Sequence, residues 1–265
     1  MTRFAWLTDI HLNFLTPERT EKFLEEVRQL GAHGVLIGGD IAEAHDLVPH
    51  LERLDDHLQV PIYFVLGNHD YYFGSIAQVR AEVRELCDAR PRLHYLSDSP
   101  PLGLTAEIGL VGHDGWADAR HGDYLGSLVS MNDFKLIGEL AGHTKEGRRS
   151  ILEALGDEAA AHVARQLPAA LERYPHVVLL THVPPVREAC WHQGRLSDDQ
   201  WAPHFSCKAM GDVILEIMPR WPDRQLTVLC GHTHGRGETM PLPNIKILTG
   251  GADYGQPKVQ AVFEW

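Results

Sequence analysis

Short apolar runs that each stop abruptly at a polar cluster dominate this chain. Phe4 to Thr8 stops at Asp9-Ile10-His11, and Gly34 to Ile37 at Gly38-Gly39-Asp40. Ile62 to Leu66 stops at Gly67-Asn68-His69-Asp70, Val177 to Leu180 at Thr181-His182, and Leu226 to Cys230 at Gly231-His232-Thr233-His234. Runs of this length, bounded by turn residues and without alternation, read as strands buried on both faces. Helical patterns fill the intervals. Thr16 caps one helix with Pro17 at its first position, and Gly31 stops it after about Leu30. Glu43 to His57 and Ser75 to Asp88 give two more. Strand, loop and helix therefore repeat three times over residues 1–90, which implies parallel strands with helices on the sheet face.

The second half is less regular. Arg92 to Leu96 and Glu107 to Gly112 read as strands. Asp114 to Gly142 shows little periodicity but many Gly, Asp and His residues. Lys145 to Arg173 is helical, with Pro168 expected to kink or divide it. Pro184 to Lys208 is a second excursion, carrying Trp191, His192, Trp201 and His204. Met210 to Met218 reads as a helix, and Ile245 to Leu248 and Lys258 to Phe263 as closing strands. No Pro/Gly/Ser-rich linker separates two blocks, so one α/β domain over residues 1–265 is expected, with irregular excursions near 114–143 and 184–208.

Composition narrows the partners. The formal net charge is −12, from 24 basic and 36 acidic residues. An acidic surface repels phosphate backbones and disfavours stable nucleic-acid binding. A small anionic substrate held by bound cations stays compatible, because the cations dominate the local field. The four cysteines form no C-x-x-C pair and read as free thiols of a reducing compartment. No apolar run approaches the roughly 18 residues that span a membrane, and the first residues lack signal-peptide architecture. A cytoplasmic protein without a membrane partner is expected; the oligomeric state is not legible.

The chemistry lies in the five clusters. Ligands gather beyond the carboxyl ends of parallel strands, and all five clusters sit at such ends. Asp9 and His11 are two apart, so an extended turn would aim both to one side; His232 and His234 repeat the spacing. Asp40 offers two oxygens and can bridge two cations. Carboxylate and imidazole suit manganese, iron or zinc, and the absence of cysteine argues against a structural zinc site.

In this order, the motifs resemble those of the calcineurin-like metallophosphoesterases, from Asp9 to His234. The resemblance implies a four-layer αββα sandwich of two mixed β-sheets flanked by helices. It also implies a binuclear centre of two transition metals, manganese or iron, with zinc as a further option. Asp9, His11 and His234 would hold one metal, Asn68, His182 and His232 the second, and Asp40 would bridge. His69 matches the family's non-ligand histidine, which protonates the leaving oxygen or steadies the phosphoryl charge, with Asp70 as the acidic partner orienting it. The implied reaction is hydrolysis by a metal-activated water. Protein serine/threonine phosphatases of the family carry a glutamate after that histidine and phosphate-binding arginines; Asp70-Tyr71-Tyr72 stands here, which disfavours that subclass. The expected function is that of a phosphodiesterase or of a phosphoesterase acting on small molecules or nucleotides. A non-catalytic metal-binding interaction module and a nuclease are the alternatives. His113, Arg187, His192 and His204 are candidates for a substrate-facing rim.

Overall fold

The computed structural model describes residues 1–265. In chain order the strands are β1 (Arg3–Leu7), β2 (Gly34–Gly38), β3 (Ile62–Val65), β4 (Leu93–Tyr95), β5 (Leu102–Gly103), β6 (Ile108–His113) and β7 (His176–Thr181). They continue with β8 (Trp191–His192), β9 (Arg195–Leu196), β10 (Gln225–Cys230), β11 (Gly237–Leu242), β12 (Ile245–Thr249) and β13 (Ala261–Glu264). The helices are α1 (Pro17–Gln29), α2 (Leu47–Leu58), α3 (Ile76–Ala89), α4 (Asp133–Leu136), α5 (Lys145–Arg173), α6 (Ala202–Phe205) and α7 (Lys208–Ile217).

Two mixed sheets form. One has the order β13-β1-β2-β3-β4, and the other β11-β12-β10-β7-β6-β5. Pairing is parallel from β1 through β4 and from β6 through β12; β13, β5 and β11 are antiparallel additions at the edges. The wholly apolar strands have a direct cause. Phe4, Trp6, Leu36 and Val65 of the first sheet share a core with Leu110, Val178, Leu180 and Leu229 of the second. Their neighbours Ala5, Leu7, Val35 and Ile37 face the opposite way, among residues of α1 to α3. Val177, Leu179, Leu226 and Val228 likewise meet α5 and α7. Each central strand thus buries both faces, and the layers run helix, sheet, sheet, helix.

Helix ends follow their capping residues. Thr16 accepts from the Arg19 amide and Ser75 from the Gln78 amide. Three expectations need correction. α5 runs unbroken through Pro168, because Val163, Leu167, Ala170 and Leu171 bury its flank and outweigh the lost backbone bond. The last strand starts at Ala261, not Lys258: Gln260 instead turns back and bonds both backbone groups of Gly251. α2 starts at Leu47, after a turn in which the Glu43 amide donates to Asp46. Residues 114–143 hold a single short helix, α4, and residues 184–208 hold the β8-β9 hairpin and α6. No helix is long and apolar enough to cross a membrane.

Candidate metal centre

The carboxyl ends of β1, β2, β3, β7 and β10 deliver the five clusters to one place. Asp9, His11, Asp40 and His234 each bring a ligand atom into a group whose members all lie within 4.8 Å of one another. His11 Nε2 is 3.3 Å from His234 Nε2 and 3.8 Å from Asp40 Oδ2, and His234 Nε2 is 3.4 Å from Asp9 Oδ1. Beside them, Asn68 Oδ1 is 3.1 Å from His182 Nε2 and 2.9 Å from His232 Nδ1, with the two nitrogens 3.2 Å apart. Asp40 Oδ1 joins the two groups, 3.4 Å from His182 Nε2.

The backbone is wound tightly to achieve this. Asp9, His11, Asp40, His232 and His234 are five of the nine non-glycine residues with positive φ, at 51°, 41°, 52°, 69° and 57°. Each costs on the order of 1–2 kcal/mol, and such strain collects where the fold over-determines a site. The D-x-H and H-x-H spacings therefore work through left-handed turns, not the extended turn expected from sequence. Gly39, at φ 84°, has no room for a side chain: an added Cβ would stand 2.6 Å from the Gly67 nitrogen and 2.9 Å from His182 Nδ1.

Hydrogen bonds around the cluster fix which atoms face inward. His182 Nδ1 lies 2.8 Å from the Gly38 carbonyl, which can only accept, so Nδ1 carries the proton and Nε2 is a lone pair. His232 Nε2 lies 2.8 Å from the His204 carbonyl, so its Nδ1 is the lone pair. Asn68 donates its amide to Asp133 Oδ1 at 2.9 Å and to the Tyr72 hydroxyl at 3.2 Å, which turns its oxygen to the same point. Three acceptors thus converge with no proton among them, and Asp40 adds a fourth. That donor set fits a cation, and carbonyl-anchored imidazoles are the usual support of a metal ligand.

Electrostatics agree. Burial would raise Asp9, but the bond to His234 and the charges of His182 and His11 hold it well below the usual carboxylate range. Burial and the neighbouring Asp9 and Asp70 push Asp40 well up, a cost of its negative charge that a cation beside it would relieve. Burial holds His11 down to about 3 and His232 down to about 4, so both stay neutral, with lone pairs to offer.

His69 stands at the rim of the same group. Its ring lies 4.7 Å from His11 and 4.2 Å from Tyr72, and burial lowers it to about 2. Asp70 does not orient it. The Asp70 carboxylate accepts from the Ile41, Ala42 and Gly67 amides, each at 2.8 Å, and His69 Nδ1 has no partner. The family resemblance implied a dyad; the 3-10 turn at His69–Tyr71 instead sends Asp70 inward to pin the loops after β2 and β3.

A cleft of about 210 Å³ opens over the cluster. Asp40, Asn68, His69, His232, Thr233 and His234 floor it, while Met131, His192, Trp201, Phe205 and Tyr254 wall it. Of the rim candidates only His192 lines it, with Nδ1 donating to the Thr233 carbonyl at 3.0 Å. His204 is buried between Tyr124 and Phe134 and touches His232 only through its carbonyl. Arg187 pairs with Asp199 at 2.6 Å. His113 is buried beside His162 and Glu158 under α5. Sequence reasoning missed Asp133, Met131, Phe205 and Tyr254, because long-range packing alone brings them to the site, and Tyr72, which reaches Asn68 locally, four residues on, through the turn after it.

Residues 2–236 match the family described as calcineurin-like phosphoesterase. The chain belongs to that family. One relative is the UDP-2,3-diacylglucosamine hydrolase of Stenotrophomonas maltophilia (strain K279a), 34% identical over 95 residues. That stretch is 31% of this chain and spans only 38% of the relative's length. The structure resembles the phosphopantetheinyl hydrolase of Mycobacterium tuberculosis, with a TM-score of 0.67 at 14% identity, over 96% of this chain and 90% of that one. It also resembles a dimetal phosphatase from Danio rerio, with a TM-score of 0.58 at 13% identity, over 94% and 87% of the two chains. At such identities these likenesses speak to the fold alone.

Proposed function

We propose that this calcineurin-like protein is a metal-dependent phosphoester hydrolase that prefers phosphodiesters of small molecules or nucleotides. The observation that carries the reading is the convergence of Asn68 Oδ1, His182 Nε2 and His232 Nδ1, acceptors without a proton among them, beside Asp40. Asp9, His11 and His234 would hold one metal, Asn68, His182 and His232 the other, and Asp40, beside both groups, would serve the two. Manganese or iron suits this oxygen and nitrogen donor set. Bound there, two cations supply charge for the phosphoryl oxygens and acidify a water nucleophile.

The chain's own groups do the rest. Gly38 and His204 carbonyls hold the two imidazoles in the tautomers that face inward. The Thr8 hydroxyl and the His232 amide both donate to Asp9, at 2.7 Å and 2.9 Å, and fix the orientation of its carboxylate. His69, neutral at the cleft floor, offers a hydrogen-bond donor to the phosphoryl or leaving oxygen. The cleft lining contains no lysine or arginine. A diester, with one negative charge at the phosphoryl group, asks for less cationic help than a dianionic monoester. Met131, Trp201 and Phe205 give an ester arm an apolar wall and exclude water from it. Four unpaired cysteines fit a reducing, cytoplasmic setting.

The test compares matched chromogenic diesters and monoesters with manganese-reconstituted protein, beside Asp40→Asn. Diester cleavage that exceeds monoester cleavage and vanishes in the variant supports the reading. No turnover of either class with two metals bound would refute it.

A further inference from the structure

Tyr254 is the one phenol in the cleft lining, and it stands outside the five polar clusters that end the central strands. The family match ends at residue 236, whereas Tyr254 lies between β12 and β13. Its ring packs on Phe14, His11 and His234, with centroids 5.0, 4.7 and 5.0 Å away. Packing alone would be served equally by phenylalanine. The hydroxyl is what packing does not explain: it reaches to 3.4 Å from His69 Nε2, at the edge of the acceptor cluster. That contact is long and is the only hydrogen bond the hydroxyl makes within the protein; with the His69 proton on Nε2, the hydroxyl accepts there and its own proton stays free for a ligand.

The loop that carries it is held at several points. Arg19 Nη2 donates to the Gly255 carbonyl at 2.5 Å, and the Ala252 amide to the His234 carbonyl at 3.2 Å. Gln260 pairs with both backbone groups of Gly251, at 3.1 and 2.8 Å. The Gln256 amide bonds the Asp253 carbonyl at 3.0 Å, closing the turn beneath the ring. A hydroxyl on a loop so fixed loses little freedom when it engages a substrate, which is the condition for a preorganised donor. Half of the side chain is exposed, on the side where the cleft opens.

We infer that Tyr254 is a further catalytic residue, whose hydroxyl donates a hydrogen bond to a phosphoryl oxygen of the bound ester beside His69. No proton is transferred in this role; the bond strengthens as charge gathers on that oxygen. The inference rests on the phosphoester hydrolysis proposed above and adds a donor from outside the five polar clusters.

Tyr254→Phe tests it, because the ring and its packing remain. Loss of one such donor costs about 100- to 1,000-fold in buried sites, and a half-exposed one is expected to cost about 10- to 100-fold in kcat. KM should change by less than about 3-fold, the pattern of an interaction made chiefly in the transition state. Metal content by elemental analysis and melting midpoint should match the wild type. Arg19→Gln, which frees the loop but leaves the hydroxyl, should lower kcat by a smaller factor. An unchanged kcat in Tyr254→Phe overturns the inference while leaving the hydrolase reading intact. So does a loss of metal or stability in step with activity, since the ring would then be a structural prop. A wild type that cleaves no phosphoester with both metals bound removes the hydrolase reading, and this inference with it.

Discussion

Replacing Asp114 by asparagine should destabilise the protein out of proportion to the change of a single atom. Asp114 is fully buried, and its carboxylate is saturated. Oδ1 accepts from the Leu66 amide and the Ser97 hydroxyl, each at 2.8 Å. Oδ2 accepts from the Tyr71 hydroxyl at 2.8 Å, the Tyr95 hydroxyl at 2.6 Å and Arg80 Nε at 3.3 Å. Asparagine keeps one acceptor and points two donors at the other group of partners. If the amide faces Oδ2's partners, the tyrosine hydroxyls can rotate to accept, but Arg80 cannot; it loses its buried counter-charge and keeps the neutral Tyr71 hydroxyl, at 3.3 Å, and the half-exposed Glu158, at 2.7 Å. If the amide faces Leu66, a backbone donor beside Gly67 and Asn68 is orphaned. Breaking a buried, hydrogen-bonded charge pair costs about 3–5 kcal/mol, and that is the expected loss. For a chain of this size it corresponds to a melting midpoint lower by about 6–20 °C.

The pH dependence supplies a second check. Burial raises Asp114, but Arg80 and the Tyr95 bond outweigh it, so the folded carboxyl lies below its ordinary value. A depressed carboxyl gives stability that is present above the unfolded value of about 3.9 and is lost as pH falls through the folded one. Wild type and Asp114→Asn should therefore differ fully at pH 7, and the gap should narrow as pH falls below about 4 and through the folded value. Denaturant titrations followed by circular dichroism at pH 7 and pH 3.5 measure both. A difference at pH 7 below about 1 kcal/mol would refute the reasoning, because it would mean that the network's charge contributes no more than one ordinary hydrogen bond.

Three further outcomes are expected. Gly39→Ala should cost more than about 2 kcal/mol and impair metal retention, since positive φ and a Cβ contact at 2.6 Å act together; equal melting and equal metal content would count against the tight-turn account. Manganese at a hundredfold excess over its dissociation constant should stabilise the fold by about 2.7 kcal/mol and so raise the melting midpoint, and a chelator should reverse the rise; a melting curve indifferent to both would contradict the cation cage. Burial, helped by His113, holds His162 down to about 4, so between pH 6.5 and 4 the unfolded chain binds a proton that the folded one refuses, and stability falls as pH drops. His162→Gln should flatten that slope, and an identical slope in the variant would remove His162 as its source.

Much of this protein can be read along the chain. Strands buried on both faces must be apolar throughout, so β1, β2, β3, β7 and β10 announce themselves as uninterrupted runs. Their ends are equally visible, because Asp9, Asp40, Asn68, His182 and His232 interrupt those runs with residues that burial tolerates only when paired. Thr16 and Ser75 mark helix starts through a local bond to an amide three residues on.

Tertiary packing decided what local pattern could not. His69 and Asp70 are neighbours in sequence, yet the turn between them sends one to the cleft and the other to amides of the loop after β2. Asp133 reaches Asn68 from 65 residues away, and Tyr254 reaches His69 across 185. His113 shares its strand end with the site's neighbours but faces α5. Pro168 should interrupt a helix on local grounds, and a buried flank overrules it. The sequence alone determined which strands form and which residues end them, since both follow from burial and short-range bonding. The identity of each group's partner waits on chain closure, where contacts between distant segments fix the direction in which every polar side chain points.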